Sequence, residues 1–141
     1  MKRDNSTIQH LRSISLFAGC SRSELALIAS NVNEHHAAAG DVLIREGGSG
    51  REFFVIVEGT ASVLVGGTAV ATLGPGDFAG EVALLDHGLR TASVVAVTDL
   101  VAEVSTPREF AALLAGVAGL AQKLLVGLAQ RVRTADIRLA S

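Results

Sequence analysis

Apolar and polar positions change their period twice along the chain, which divides it into three sections. Over residues 7–16, Ile8, Leu11, Ile14 and Leu16 recur at a loose helical spacing. Ser21 to Ser30 form a clearer helix. Leu25, Leu27 and Ile28 give it an apolar face, and Ser21 with Glu24 three residues on is a capping-box start. From Ala37 to Ser105 the pattern becomes short strands between glycine turns. Val42-Leu43-Ile44 is one strand and Phe53 to Val57 a buried one. Ala61 to Val65 alternates, Gly66-Gly67 is a two-residue hairpin signal, and Thr68 to Leu73 returns. After the turn Gly74-Pro75-Gly76-Asp77 and a less regular stretch come Ala92 to Val97 and Leu100 to Val104, split by Thr98-Asp99. Many short strands at even spacing predict a sandwich or a small barrel.

The third section is helical. Thr106 caps a helix with Pro107 at its first position, running to about Ala115. Gly116 and Gly119 each cost about 1 kcal/mol relative to alanine in a helix interior, so they predict a hinge. A second helix, from about Leu120 to Leu139, carries Ala121, Leu125, Leu128, Val132, Ala135 and Leu139 at alternating intervals of four and three. That is a heptad seam over roughly 30 Å of helix. Leu120 and Leu124 lie beside it and are placed to pack on the β-sheet body. Two faces on one helix suggest one for the body and one for a partner, so a homodimer or a partner protein is expected there.

Length and composition fit one globular domain over residues 1–141, with the β-structure at about 34–105 and the C-terminal helices at about 107–139. The single cysteine, Cys20, cannot form an internal disulfide, which points to a reducing, cytoplasmic setting. No secretory signal follows the charged start. The longest apolar run, Phe110 to Ala121, is short of the roughly 18–20 residues a spanning helix needs, so no membrane association is expected. Basic residues collect at the two ends. Between them, Arg45, Arg51, Arg90 and Arg108 stand among a dozen carboxylates. So acidic a body argues against a broad nucleic-acid surface, and an anionic ligand entering it needs a specific cation.

The candidate chemistry lies between Phe78 and Ser93, FAGEVALLDHGLRTAS. Gly80-Glu81 stand at the mouth of a short apolar turn, Val82 to Leu85, and Arg90 follows a glycine-containing bend. An arginine presents a planar fork of donors to phosphate oxygens, and the free N–H groups at the start of a short helix favour the same anion. Glu81 cannot serve the phosphate; it can accept hydrogen bonds from hydroxyls such as those of a ribose. GEVALL, followed by Arg-Thr-Ala-Ser ten residues after Gly80, resembles the phosphate-binding cassette of cyclic nucleotide-binding domains. Those occur in catabolite activator proteins, regulatory subunits of cyclic-nucleotide-dependent kinases and cyclic-nucleotide-gated channels. The resemblance covers about residues 10 to 139.

It implies an eight-stranded jelly-roll β-barrel with N-terminal helices and a long C-terminal helix. It implies a regulatory module for cyclic AMP, or cyclic GMP, with no further cofactor. Glu81 would take the ribose 2′-hydroxyl and Arg90 the cyclic phosphate. Phe78, Gly80, the backbone of Val82, Ala83 and Leu84, and Ala92 would complete the nest. The last helix would cover the base, with Thr91, Thr134 and Asp136 placed to meet its edge. Members that regulate transcription carry a helix-turn-helix after that helix. This chain stops at Ser141, so direct DNA binding by it is not expected.

Other constellations fail. Gly74, Gly76 and Gly80 have the wrong spacing for a dinucleotide loop, and the four histidines are scattered rather than clustered for a metal. No nucleophile elbow is present, and nothing argues for an enzyme. The alternatives to a sensor are a degenerate sensor fold kept for protein interaction, or the regulatory fragment of a larger transcription factor or enzyme.

Overall fold

The computed structural model describes the backbone of residues 5–140 and the side chains of residues 7–134. The chain enters through α1 (Asn5–Arg12), a 3₁₀ turn at Ser15–Phe17 and α2 (Arg22–Ser30). Eight strands follow: β1 (Asn33–Ala37), β2 (Val42–Ile44), β3 (Phe53–Glu58), β4 (Ala61–Val65), β5 (Thr68–Leu73), β6 (Phe78–Ala79), β7 (Ser93–Ala96) and β8 (Leu100–Ser105). A short helix, α3 (Glu81–Asp86), interrupts them after β6, and α4 (Pro107–Gly116) and α5 (Leu120–Ala140) close the chain.

The strands form two four-stranded antiparallel sheets, in the orders β1-β8-β3-β6 and β2-β7-β4-β5. Ala37, Phe54, Ile56 and Ala102 of the first sheet pack with Ile44, Ala61, Leu73, Val94 and Ala96 of the second in one core. A second core lies on the other face of the first sheet. There Phe53 and Val55 meet Leu11, Phe17, Leu25, Ile28, Phe110, Leu113, Leu120 and Leu124 from the helices. The molecule is therefore helix layer, sheet, sheet. β3 is buried on both faces, which is why its sequence, FFVIV, is continuously apolar rather than alternating.

The expected jelly roll is present as an open β-roll and not as a closed barrel. One outer strand of each sheet is short, two residues in β6 and three in β2. They carry too few backbone donors and acceptors for a ladder to continue from one sheet to the other, and no described pairing links the two sheets.

Local signals at the helix ends are realised. The side chain of Ser21 accepts from the N–H of Glu24, and Glu24 returns to the N–H of Ser21; Thr106 and Glu109 repeat the capping box at α4. α4 and α5 meet at an angle of 111° across the expected break. The other carboxylate oxygen of Glu24 accepts from the N–H of Ala118, which ties that break to the start of α2. Among the described residues, no single helix is long and apolar enough to cross a membrane.

Candidate functional site

The site is built where β6 runs into α3. Gly80, the residue between them, has φ 97°, a left-handed conformation natural to glycine. A Cβ there would also lie 2.3 Å from the carbonyl oxygen of Glu52 and 3.0 Å from Nη1 of Arg90. The glycine thus sets the direction of α3 and leaves room for the arginine. Arg90 is 6% exposed. Its Nη1 donates to the Gly80 carbonyl at 3.0 Å and its Nη2 to the Glu52 carbonyl at 2.8 Å. Its backbone is held on both sides as well, with Gly47 N–H donating to its carbonyl and its own N–H donating to Gly48. Burial pushes the Arg90 guanidinium below its ordinary value, against the pull of Glu52 and Glu81, with Arg51 acting in the same direction as burial.

Glu81 is 2% exposed. Its Oε1 accepts from Nη1 of Arg131 on α5 at 2.6 Å, while its Oε2 is buried and accepts no hydrogen bond. Burial raises the Glu81 carboxyl above the usual glutamate range, and the Arg131 charge opposes that rise. Arg131 also donates to the Phe78 carbonyl and lies over the Phe78 ring, 4.4 Å from its centroid. α5 can approach so closely because residue 127 is glycine: a Cβ there would lie 2.8 Å from Phe78 Cζ.

These groups line one cavity of about 1300 Å³. Nine of the expected site residues border it: Phe78, Gly80, Glu81, Val82, Ala83, Arg90, Thr91, Ala92 and Thr134. Leu84 does not; it packs against the helical core, and only its backbone remains available to the site. The side chain of Asp136 lies outside the described residues. The wall facing the cassette is apolar, with Ile44, Val63, Val70, Leu73 and Val94 from the second sheet and Val126 and Val132 from α5. A buried guanidinium, a buried carboxylate with a free acceptor and an apolar slot suit an anion joined to a hydroxyl-bearing ring and a flat apolar group. No group of three or more His, Cys, Asp or Glu able to hold a metal occurs among the described residues.

Arg131 was not among the residues the sequence marked for the site. The available signal was spacing. The stripe begun by Leu120 and Leu124 continues at intervals of three and four through Gly127 and Arg131 to Thr134, so all five face the body. The cavity-lining positions of β4 and β5 carried no chemical signature at all.

Comparison with known proteins agrees with this geometry. The profile of the cyclic nucleotide-binding domain matches residues 34–116. The cyclic AMP receptor protein of Thermus thermophilus is 32% identical over 129 residues, covering 88% of this chain and 60% of that protein. A cAMP-dependent protein kinase regulatory subunit of Mycosarcoma maydis is 35% identical over 122 residues, 80% of this chain and 23% of the subunit. Among solved structures, the Thermus thermophilus catabolite activator protein superposes with a TM-score of 0.78 at 32% identity, over 89% of this chain and 61% of that one. The chain spans less than two thirds of the length of each of these relatives.

Proposed function

The chain belongs to the cyclic nucleotide-binding domain family, and we propose that it is a sensor for a 3′,5′-cyclic nucleotide, cyclic AMP before cyclic GMP, that regulates rather than catalyses. The observation that carries this reading is Oε2 of Glu81. A buried acceptor left without a partner costs about 1–3 kcal/mol, and a native structure keeps one for a reason. Arg131 holds Oε1 and so orients the carboxylate with Oε2 free for a ribose 2′-hydroxyl. Arg90, ten residues on, faces the cyclic phosphate together with the backbone of Val82 to Leu84 and Ala92. The base lies in the apolar slot under α5, with Thr91 and Thr134 at its polar edge; this leaves out Asp136. The preference for adenine is supported by the relatives reported above, both named for cyclic AMP.

The chain regulates through α5. Ligand adds a hydrogen bond to a carboxylate that already holds α5 through Arg131, so occupancy and docking of the helix reinforce each other. The outer seam then offers a surface for a second copy of the chain: Leu125 is 61% exposed. We place this module in the reducing cytoplasm on the strength of its lone Cys20.

Titration calorimetry with cyclic AMP, cyclic GMP and 2′-deoxy cyclic AMP tests the reading. Cyclic AMP is expected to bind more tightly than cyclic GMP, and the deoxy compound more weakly than its parent. Absence of binding by either natural nucleotide would leave a degenerate sensor fold used for protein interaction.

A further inference from the structure

We infer that Arg51 is a positioning residue for the phosphate side of this site, acting through α3; its role toward ligand rests on the cyclic-nucleotide reading, its role toward α3 does not. Nη1 of Arg51 donates to the Ala83 carbonyl at 3.0 Å, and its Nη2 donates to the His87 carbonyl at 3.1 Å. The two bonds grip α3 in its middle and just past its end.

α3 needs such a grip. It has six residues, too few to be stable alone, since forming the first helical turn is itself unfavourable. It ends on His87 at φ 58°, the only non-glycine residue with positive φ among those described. Its apolar side chains give little anchorage, for Val82 and Leu85 are 36% and 53% exposed. What remains is Leu84 against the helical core, Ala83, Glu81 and the guanidinium of Arg51.

Arg51 therefore fixes where α3, which borders the cavity through Glu81, Val82 and Ala83, lies beside a phosphate without touching the phosphate itself. Its neighbour in the chain, Glu52, offers the carbonyl that receives Arg90. Residues 51 and 52 thus hold the phosphate segment from both sides, and in an acidic body they bring a second cation to it.

The test uses the full chain with Arg51→Gln and Arg51→Lys, hydrogen exchange of the amides of residues 82–87, and affinities for cyclic AMP and its two phosphorothioate diastereomers. Arg51→Gln is expected to speed exchange in α3 while β3 and β8 stay protected, and to weaken cyclic AMP about tenfold, the loss of one charge-assisted hydrogen bond. The ratio of affinities between the diastereomers should narrow, because one phosphate oxygen faces α3 and the other Arg90. Arg51→Lys, whose ammonium can hold one carbonyl at a time, should recover part of each effect, and serves alone if the glutamine variant does not fold. Affinity within twofold of the parent with an unchanged ratio would overturn the proposal. So would loss of protection spread equally over β3 and β8, the mark of a general structural role. If the parent binds no cyclic nucleotide, faster α3 exchange in Arg51→Gln still supports the positioning role, and unchanged exchange rejects it.

Discussion

Replacing Arg131 by alanine isolates the contact between α5 and the carboxylate of the site. Three interactions go: the 2.6 Å bond to Glu81, the bond to the Phe78 carbonyl and the stacking over the Phe78 ring. A hydrogen bond to a charged group contributes about 1.5–3 kcal/mol and an exposed cation–π contact about 0.5–1 kcal/mol. The Arg131 side chain is 41% exposed, so solvent screens its charge, and its freed rotamers return up to about 2 kcal/mol. The net cost is about 1–2 kcal/mol, or roughly 5- to 30-fold in an equilibrium constant. It should appear as lower nucleotide affinity and faster amide exchange along α5 beyond Leu124. The pH dependence gives the sharper signature. The Glu81 carboxyl is raised above 4.5 in the folded chain, so the folded state holds that proton more tightly than the unfolded one. The stability this contributes is complete below about 4.5 and is lost as pH rises through the folded value. Without Arg131 the folded value climbs further and the loss extends to higher pH. Denaturant melts of parent and variant should therefore lie closest at acid pH and separate as pH rises. A constant separation from pH 4 to pH 8, or unchanged affinity for cyclic AMP, would refute the assigned role.

Arg90→Ala should nearly abolish nucleotide binding with the fold retained; losing one partner of a buried charged pair costs roughly 2–5 kcal/mol, about 30- to several-thousand-fold in affinity. Calorimetry on a variant of unchanged circular dichroism checks it, and affinity within a few-fold of the parent would remove the phosphate role. Glu81→Gln should weaken binding by about 1–2 kcal/mol, since the amide oxygen still accepts one hydrogen bond. 2′-Deoxy cyclic AMP should lose affinity for the parent but little for that variant, and equal losses would separate Glu81 from the hydroxyl. Sedimentation velocity over a dilution series should show a weak, concentration-dependent dimer, about micromolar, that strengthens with salt because Arg133 and Arg138 flank the seam while Arg131 is held by Glu81. A monomer at every concentration, or no effect of Leu128→Glu, would end that idea.

Six of the eight strands, the capping boxes and the Gly-Glu and Arg-Thr-Ala-Ser signature were legible because each is local, whereas exposed, polar β1 and two-residue β6 carry no apolar pattern. Ser21 with Glu24 and Thr106 with Glu109 need only four consecutive residues to declare a helix start. The break at residues 116–119 was legible for the same reason. Closure of the sheets was not, because it depends on how many backbone groups the edge strands offer after folding, and β6 has only two residues. Arg131 and Arg51 were visible as charges but not as parts of the site. Arg131 lies fifty positions from Glu81 and Arg51 thirty-two from Ala83, and only folding brings them together. The buried stripe on α5 was half read. Leu120 and Leu124 stood out as apolar, while Gly127 and Arg131 continue the face with residues that no hydrophobicity pattern selects. Of the seam, Ala121, Leu125 and Val132 are exposed and Leu128 is half-buried; the side chains of Ala135 and Leu139 lie outside the described residues.

The way α5 is attached decides what it can report. Its first turns are anchored in the helical core and on the N-terminal segment. Leu120 and Leu124 sit in the helical core, and Nζ of Lys123 donates to the carbonyls of Leu16 and Ala18. Beyond Leu124 the contacts change character. Gly127 rests on the Phe78 ring, and Arg131 binds Phe78 and Glu81, all within the strand and helix that border the cavity. The outer half of the helix therefore follows the cassette, while its inner half stays with the core. Leu125, exposed, begins the outer stripe beside that stretch. A shift of β6 and α3 toward a ligand would pull Phe78 and Glu81, and with them the part of α5 whose outer face is free to meet a partner. The proposed sensor would therefore report through the segment after Leu124.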